Sequence, residues 1–188
     1  HHYPFRLIAP GALIDYVQQL CESEGVQVEP GVLALVVRSG GGSVRDTLSI
    51  LDQLIAGSES TQVTLERATG LLGFTSTELI DEVVNALGSG DAAAAFRATD
   101  RVVQTGQDPR RFVEDLLERL RDLIVISATS VQGASAVFRG VPEDQLDSMF
   151  AQSQAFGHGQ LSRIADTVNS TLNTMVGATA PRLHLELM

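Results

Sequence analysis

Gly40-Gly41-Gly42-Ser43-Val44-Arg45-Asp46-Thr47-Leu48-Ser49-Ile50-Leu51-Asp52-Gln53 decides how this chain is read. Three glycines end one element, and a helix starts at once after them. Ser43 fits the N-cap position, and Asp46 three residues on completes a capping-box-like pair. Val44, Leu48, Leu51 and Ile55 recur at helical spacing and give that helix one apolar face.

Arg45 is the residue out of place. A cation in the first turn of a helix faces the positive end of the macrodipole, which costs about 0.3–1 kcal/mol. A negative partner offsets that, and two kinds fit. One is a nearby carboxylate, with Asp46 the first candidate. The other is a phosphate, because free backbone N–H groups and a guanidinium at a helix start suit a bound anion.

Composition sets the class. The 188 residues are 44% hydrophobic and 19% charged, enough for one large or two small domains with a buried core. Aromatic residues make up 5% and tryptophan is absent, so Leu, Val and Ala must do the packing, which suits helices on helices. The net charge of −10 argues against a broad basic footprint for nucleic acid. All 13 basic residues are arginine. Without lysine there is neither a P-loop nor Schiff-base chemistry within these residues. The lone Cys21 lies in the apolar pattern Leu13, Val17, Leu20, Cys21 and reads as a buried thiol. No apolar run of about 18 residues or signal peptide is present, and a reducing cytoplasmic setting fits.

The periodicity predicts an all-α protein in two parts. Residues 1–10 read as an extended lead-in, followed by helices over 11–25, from Pro30 to the glycines, and over 43–56; together they form a three-helix domain of residues 1–57. The polar break Gly57-Ser58-Glu59-Ser60 separates it from a helical bundle over 58–188. There the spacing predicts helices from Thr64 through Leu72, over 77–87, after Asp91, over 109–128 behind the start signal Asp108-Pro109, from Pro142, over 160–176, and from Pro181 onward. Residues 130–140 read as a Gly/Ser/Ala-rich loop, and no strand is expected after residue 10. Asp115 with Arg119, and Glu118 with Arg121, read as surface pairs on the longest helix. Arg110 and Arg111, followed by Glu114 and Asp115, read as helix-surface charges rather than a contact for DNA. Exposed apolar faces are expected on 109–128 and 160–176.

The residues carry no constellation for catalysis or metal binding. His1 and His2 lack metal-ligand spacing, and His158 and His184 lack a positioned partner. Ser43 and Cys21 have nothing beside them to activate a nucleophile.

The stretch from Gly42 to Gln53 resembles the gamma/tau subunits of bacterial DNA polymerase III clamp loaders, whose pattern there is Gly-Ser-x-Arg-Asp-(small)-Leu-Ser-x-x-Asp-Gln. His1-His2-Tyr3-Pro4-Phe5-Arg6 leading to Pro10, Glu22-x-Glu24-Gly25, Leu71-Leu72-Gly73, Asp108-Pro109-Arg110-Arg111-Phe112 and Pro181-Arg182-Leu183 agree in order and spacing. The resemblance covers the whole chain. It implies a fragment: residues 1–57 as the lid of an AAA+ module and residues 58–188 as the collar that joins subunits into a ring. The RecA-like ATPase domain with its P-loop would lie outside.

By the same resemblance Arg45 is the sensor 2 residue that reaches the phosphates of ATP held by that domain. Gly42, Ser43 and Asp46 would support its helix start. The expected partners are other clamp-loader subunits (gamma/tau copies, delta and delta prime) through the collar, and the sliding clamp and primed DNA through the full complex. No membrane is involved. The fragment would bind ATP only with the ATPase domain, would not hydrolyse it alone, and would be a monomer or self-associate. The rival reading is a free-standing helical interaction module in which Arg45 pairs with a carboxylate.

Overall fold

The computed structural model describes residues 6–58, 62–129, 131–157, 159–175 and 185, and these fold as two compact helical units. The first unit takes in the chain up to Leu72 together with Ser135–Glu143, and the second takes in Gly73–Ala134 and the chain from Asp144.

In the first unit, α1 (Pro10–Ser23) opens on a proline whose missing N–H is no loss there. It buries Leu13, Ile14, Val17 and Cys21, one helical stripe. Gly25, at φ +68°, turns the chain out, and the Val26 amide donates to the Cys21 carbonyl at 2.9 Å. Next come β1 (Gln27–Val28) and α2 (Val32–Ser39). Pro30 does not sit at the first helical position as expected: α2 starts two residues later, because Gly31, at φ +90°, is in the left-handed region and cannot belong to the helix. The third helix, α3 (Val44–Ala56), leads to β2 (Gln62–Val63) and α4 (Leu65–Leu72).

β1 and β2 pair in parallel, Gln27 with Gln62 and Val28 with Val63, which corrects the expectation of no strand after residue 10. Two-residue strands carry no readable alternation. Val63 is fully buried, and its carbonyl accepts from the Glu29 amide at 3.0 Å beside the pairing. Glu29 then accepts from the Leu65 amide at 2.7 Å and, with the Thr64 hydroxyl, caps α4. Leu13, Val17, Val32, Val36, Leu51, Leu54, Val63 and Ala68 form the core.

In the second unit the helices begin on side-chain caps: α5 (Thr77–Ser89) on Ser76, α6 (Ala92–Gln104) on Asp91 and α7 (Pro109–Ser127) on Asp108 with proline behind it. α9 (Glu143–Gln154) and α10 (Gln160–Thr174) follow. α7 is the axis, packed against α10, α5 and α6. It buries Phe112, Val113, Leu116, Leu120, Leu123 and Ile126. Among the described residues of 109–128 and 160–176 no large apolar side chain is fully exposed, contrary to the exposed faces expected there, although Ile164 and Leu172 are half-buried. The large apolar side chains left exposed among the described residues are Leu7, Ile8, Tyr16, Leu71, Phe96 and Val137.

The stretch 130–140 is also not a loop throughout. Val131–Val137 forms a short helix, α8, in which Ala134 is buried. Local preference is a weak guide in such a stretch, and tertiary context overrides it. The helix expected from Pro181 lies outside the described residues, apart from Leu185, which is buried.

Candidate functional site at the start of the third helix

The glycine turn is shaped by backbone conformation. Gly41 and Gly42 have φ of +57° and +85°, values open to glycine at no steric cost. The Ser43 amide donates to the Gly40 carbonyl at 2.9 Å, and the Ile8 amide donates to the Gly42 carbonyl at 3.0 Å, tying the lead-in to the turn. A Cβ on Gly42 would lie 3.0 Å from the Cβ of Leu7. A Cβ on Gly40 would lie 2.9 Å from both Cα and Cβ of Thr47. The end of α2 thus presses on the first turn of α3, where Thr47 is fully buried and donates its hydroxyl to the Ser43 carbonyl at 2.8 Å.

Ser43 is the N-cap: its Oγ accepts from the Asp46 amide at 3.3 Å. This places Arg45 second in the helix. Its Nε lies 3.1 Å from Asp46 Oδ1, and the two side chains are 89% and 51% exposed. Hydrogen bonding from Arg45, and then from Ser43, holds the Asp46 carboxyl below its usual range. An ion pair this exposed contributes little energy and leaves the guanidinium free to exchange partners. Gly42, Ser43, Arg45 and Asp46 stand together at one corner of the first unit, on a turn fixed by buried contacts. That corner can present a cation and free helix-start amides to an anion arriving from solvent.

Several charges on α7 have partners. Arg110 pairs with Glu114 at 3.1 Å, and the Arg111 guanidinium lies over the Phe74 ring, 3.9 Å from its centroid, with Glu114 and Asp115 alongside. Asp115 and Arg119 are not the surface pair expected of them. Both are buried, and both bond residues outside α7. Asp115 accepts from the Thr75 amide at 2.7 Å, and Arg119 Nη1 donates to Asp81 Oδ1 at 2.7 Å and to Gln152 Oε1 at 3.0 Å. Gln152 Nε2 closes the triangle on Asp81 Oδ1 at 2.8 Å.

Their positions held the signal: 115 and 119 alternate with 112, 116, 120 and 123 on the apolar stripe. Arg121 bonds Asp122 at 2.6 Å, and the charge of Glu118 also acts on it. That bond raises the Arg121 pKa further. Cys21 is buried, and burial pushes its thiol pKa up. No group of three His, Cys, Asp or Glu among the described residues is placed to hold a metal ion, and no described helix is long and apolar enough to cross a membrane. His1, His2, His158 and His184 lie outside the described residues.

Two family models match this chain. That of the DNA polymerase III clamp loader subunit, ATPase lid domain, covers residues 13–60, and that of DNA polymerase III subunits gamma and tau, domain III, covers residues 63–188. DNA polymerase III subunit gamma/tau of Mycobacterium tuberculosis is 52% identical over 191 residues, covering 100% of this chain and 32% of the relative. DNA polymerase III subunit tau of Bacillus subtilis is 25% identical over 186 residues, covering 98% of this chain and again 32% of the relative. The chain thus spans about a third of the length of these relatives. Among solved structures, the DNA clamp loader delta protein of Bacillus subtilis superposes with a TM-score of 0.52 at 14% identity, over 97% of this chain and 56% of that one, a likeness of fold.

Proposed function

This chain belongs to the gamma and tau family of DNA polymerase III subunits and carries its ATPase lid and domain III, and on that premise we propose that it couples nucleotide state to the geometry of a clamp-loader ring. Residues 1–57 act as the lid and residues 58–188 as the collar. Arg45 reads the phosphates of ATP bound in a P-loop domain that these 188 residues, which contain no lysine, do not supply. Gly42, Ser43 and Asp46 hold the helix start that carries it. The lid moves as a body when the phosphates change, and the collar joins the neighbouring subunits, further gamma/tau copies, delta and delta prime. The work of the assembly is to load a sliding clamp on primed DNA in the cytoplasm. Hydrolysis of ATP is assigned to the complete subunit with its P-loop domain.

The observation that carries the reading is the placement of Arg45. It stands in the first turn of a capped helix, it is 89% exposed, and its one ion pair among the described residues is the exposed contact with Asp46. Arg45→Ala in the full-length chain tests it. A lost charged hydrogen bond to phosphate is worth about 1.5–3 kcal/mol, roughly 10- to 100-fold in ATP-dependent clamp loading, with subunit assembly intact. Loading that is unchanged in the variant would overturn the reading in favour of a helical interaction module without nucleotide function.

A further inference from the structure

Residues 135–143 come late in the chain, inside the stretch matched by domain III, yet they belong to the first compact unit. Their contacts there run along both of its leading helices. The Arg139 stem lies over the first turn of α1, where a Cβ on Gly11 would sit 3.2 Å from Arg139 Cδ, and Arg139 Nη1 pairs with Asp15 Oδ2 at 3.0 Å. Gly140, at φ +81°, crosses where α1 meets α2: a Cβ there would be 3.5 Å from Ile14 Cδ1 and 3.6 Å from Ala34 Cβ. A Cβ on Gly31, the N-cap of α2, would lie 3.8 Å from Pro142 Cδ. The turn between is closed by the Val141 amide on the Phe138 carbonyl at 3.2 Å. On either side of this segment the chain is anchored in the second unit, at buried Ala134 and buried Leu146.

We propose that residues 135–143 are a latch. They clasp α1 to α2 from outside and couple the local stability of the first unit to a segment that comes late in the chain. Arg139 with Asp15 is exposed and contributes little by itself. The turn at Gly140, whose φ of +81° is strained for any larger residue, is what seats the segment against Ile14 and Ala34. This coupling goes beyond the phosphate reading and holds whether or not Arg45 meets a nucleotide.

Native-state hydrogen exchange on the 188-residue chain tests the latch. Gly140→Val should unseat the segment, and Arg139→Asp should loosen it. In Gly140→Val, amides around Ile14, Val17 and Val36 should exchange about tenfold faster, while those of α7 around Leu116 and Leu120 stay within twofold of wild type. In Arg139→Asp the same α1 and α2 amides should quicken by a few-fold, and the reversed pair Asp15→Arg with Arg139→Asp should recover the wild-type rate. Exchange in α1 and α2 unchanged by Gly140→Val would overturn the latch. So would an equal rise in α7, which would mark general destabilisation. The readout involves no nucleotide, so its failure and a failure of the Arg45 test remain distinct.

Discussion

Replacing Arg119 by alanine should destabilise the second unit by about 3 kcal/mol. The figure follows from what the guanidinium holds. Arg119 is 8% exposed, and its Nη1 serves Asp81 on α5 and Gln152 on α9 together. Removing one partner of a fully buried pair costs about 3–5 kcal/mol because a charge is left stranded. Asp81 is 27% exposed and regains some water, which lowers that end of the figure. The buried Gln152 carbonyl oxygen regains none, and an orphaned buried acceptor costs about 1–3 kcal/mol. Urea denaturation of the 188-residue chain, followed by circular dichroism, measures the loss. A double-mutant cycle with Asp81→Ala should return a coupling of about 1–2 kcal/mol. Replacing all three polar residues by apolar ones of similar volume should recover much of the stability, since an apolar contact of that shape needs no desolvation. A loss below 0.5 kcal/mol for Arg119→Ala, or strict additivity in the cycle, would refute the reasoning.

Gly40→Ala should cost about 3 kcal/mol by overpacking, and Thr47→Ala should not rescue it, because the added methyl also meets the Cα and Cβ of residue 47; thermal melts of the single and double variants check this. The Asp46 carboxyl should titrate below the usual carboxylate range by NMR and move back up in Arg45→Ala. Since its folded pKa is depressed, its small share of stability is present above the unfolded value and is lost as pH falls through the folded one. Cys21 should resist thiol reagents until urea unfolds the first unit. Its folded pKa is raised, so its contribution is present below the ordinary thiol value and fades as pH climbs through the higher folded one, a dependence that Cys21→Ala should remove.

The helices were legible wherever a cap and an apolar period agreed. Ser43, Ser76, Asp91 and Asp108 each open the helix their sequence announces. The corner that carries Arg45 was legible for the same reason: a glycine turn, a cap and a misplaced cation are all local features. What escaped were contacts between residues far apart in sequence. Arg119 meets Asp81 across 38 positions, and nothing local distinguishes it from a solvated arginine except its place on the apolar stripe. Val63 joins Val28 through strands of two residues each, too short for any period. The α8 helix has no apolar period in its sequence, and its Ala134 is buried. Pro30 misled because a following glycine in the left-handed region outranks proline as the point where a helix begins.

The small parallel pairing of β1 with β2 bears on how the chain is made. As the polypeptide leaves the ribosome, α1, α2 and α3 emerge with the slot beside Val28 still empty, and Glu29 has no amide to receive until Leu65 follows. The first unit therefore cannot close in step with its own helices. It must wait for a short downstream segment to return and zip alongside, which makes the order of synthesis, and not helix propensity alone, the determinant of when this fold becomes committed.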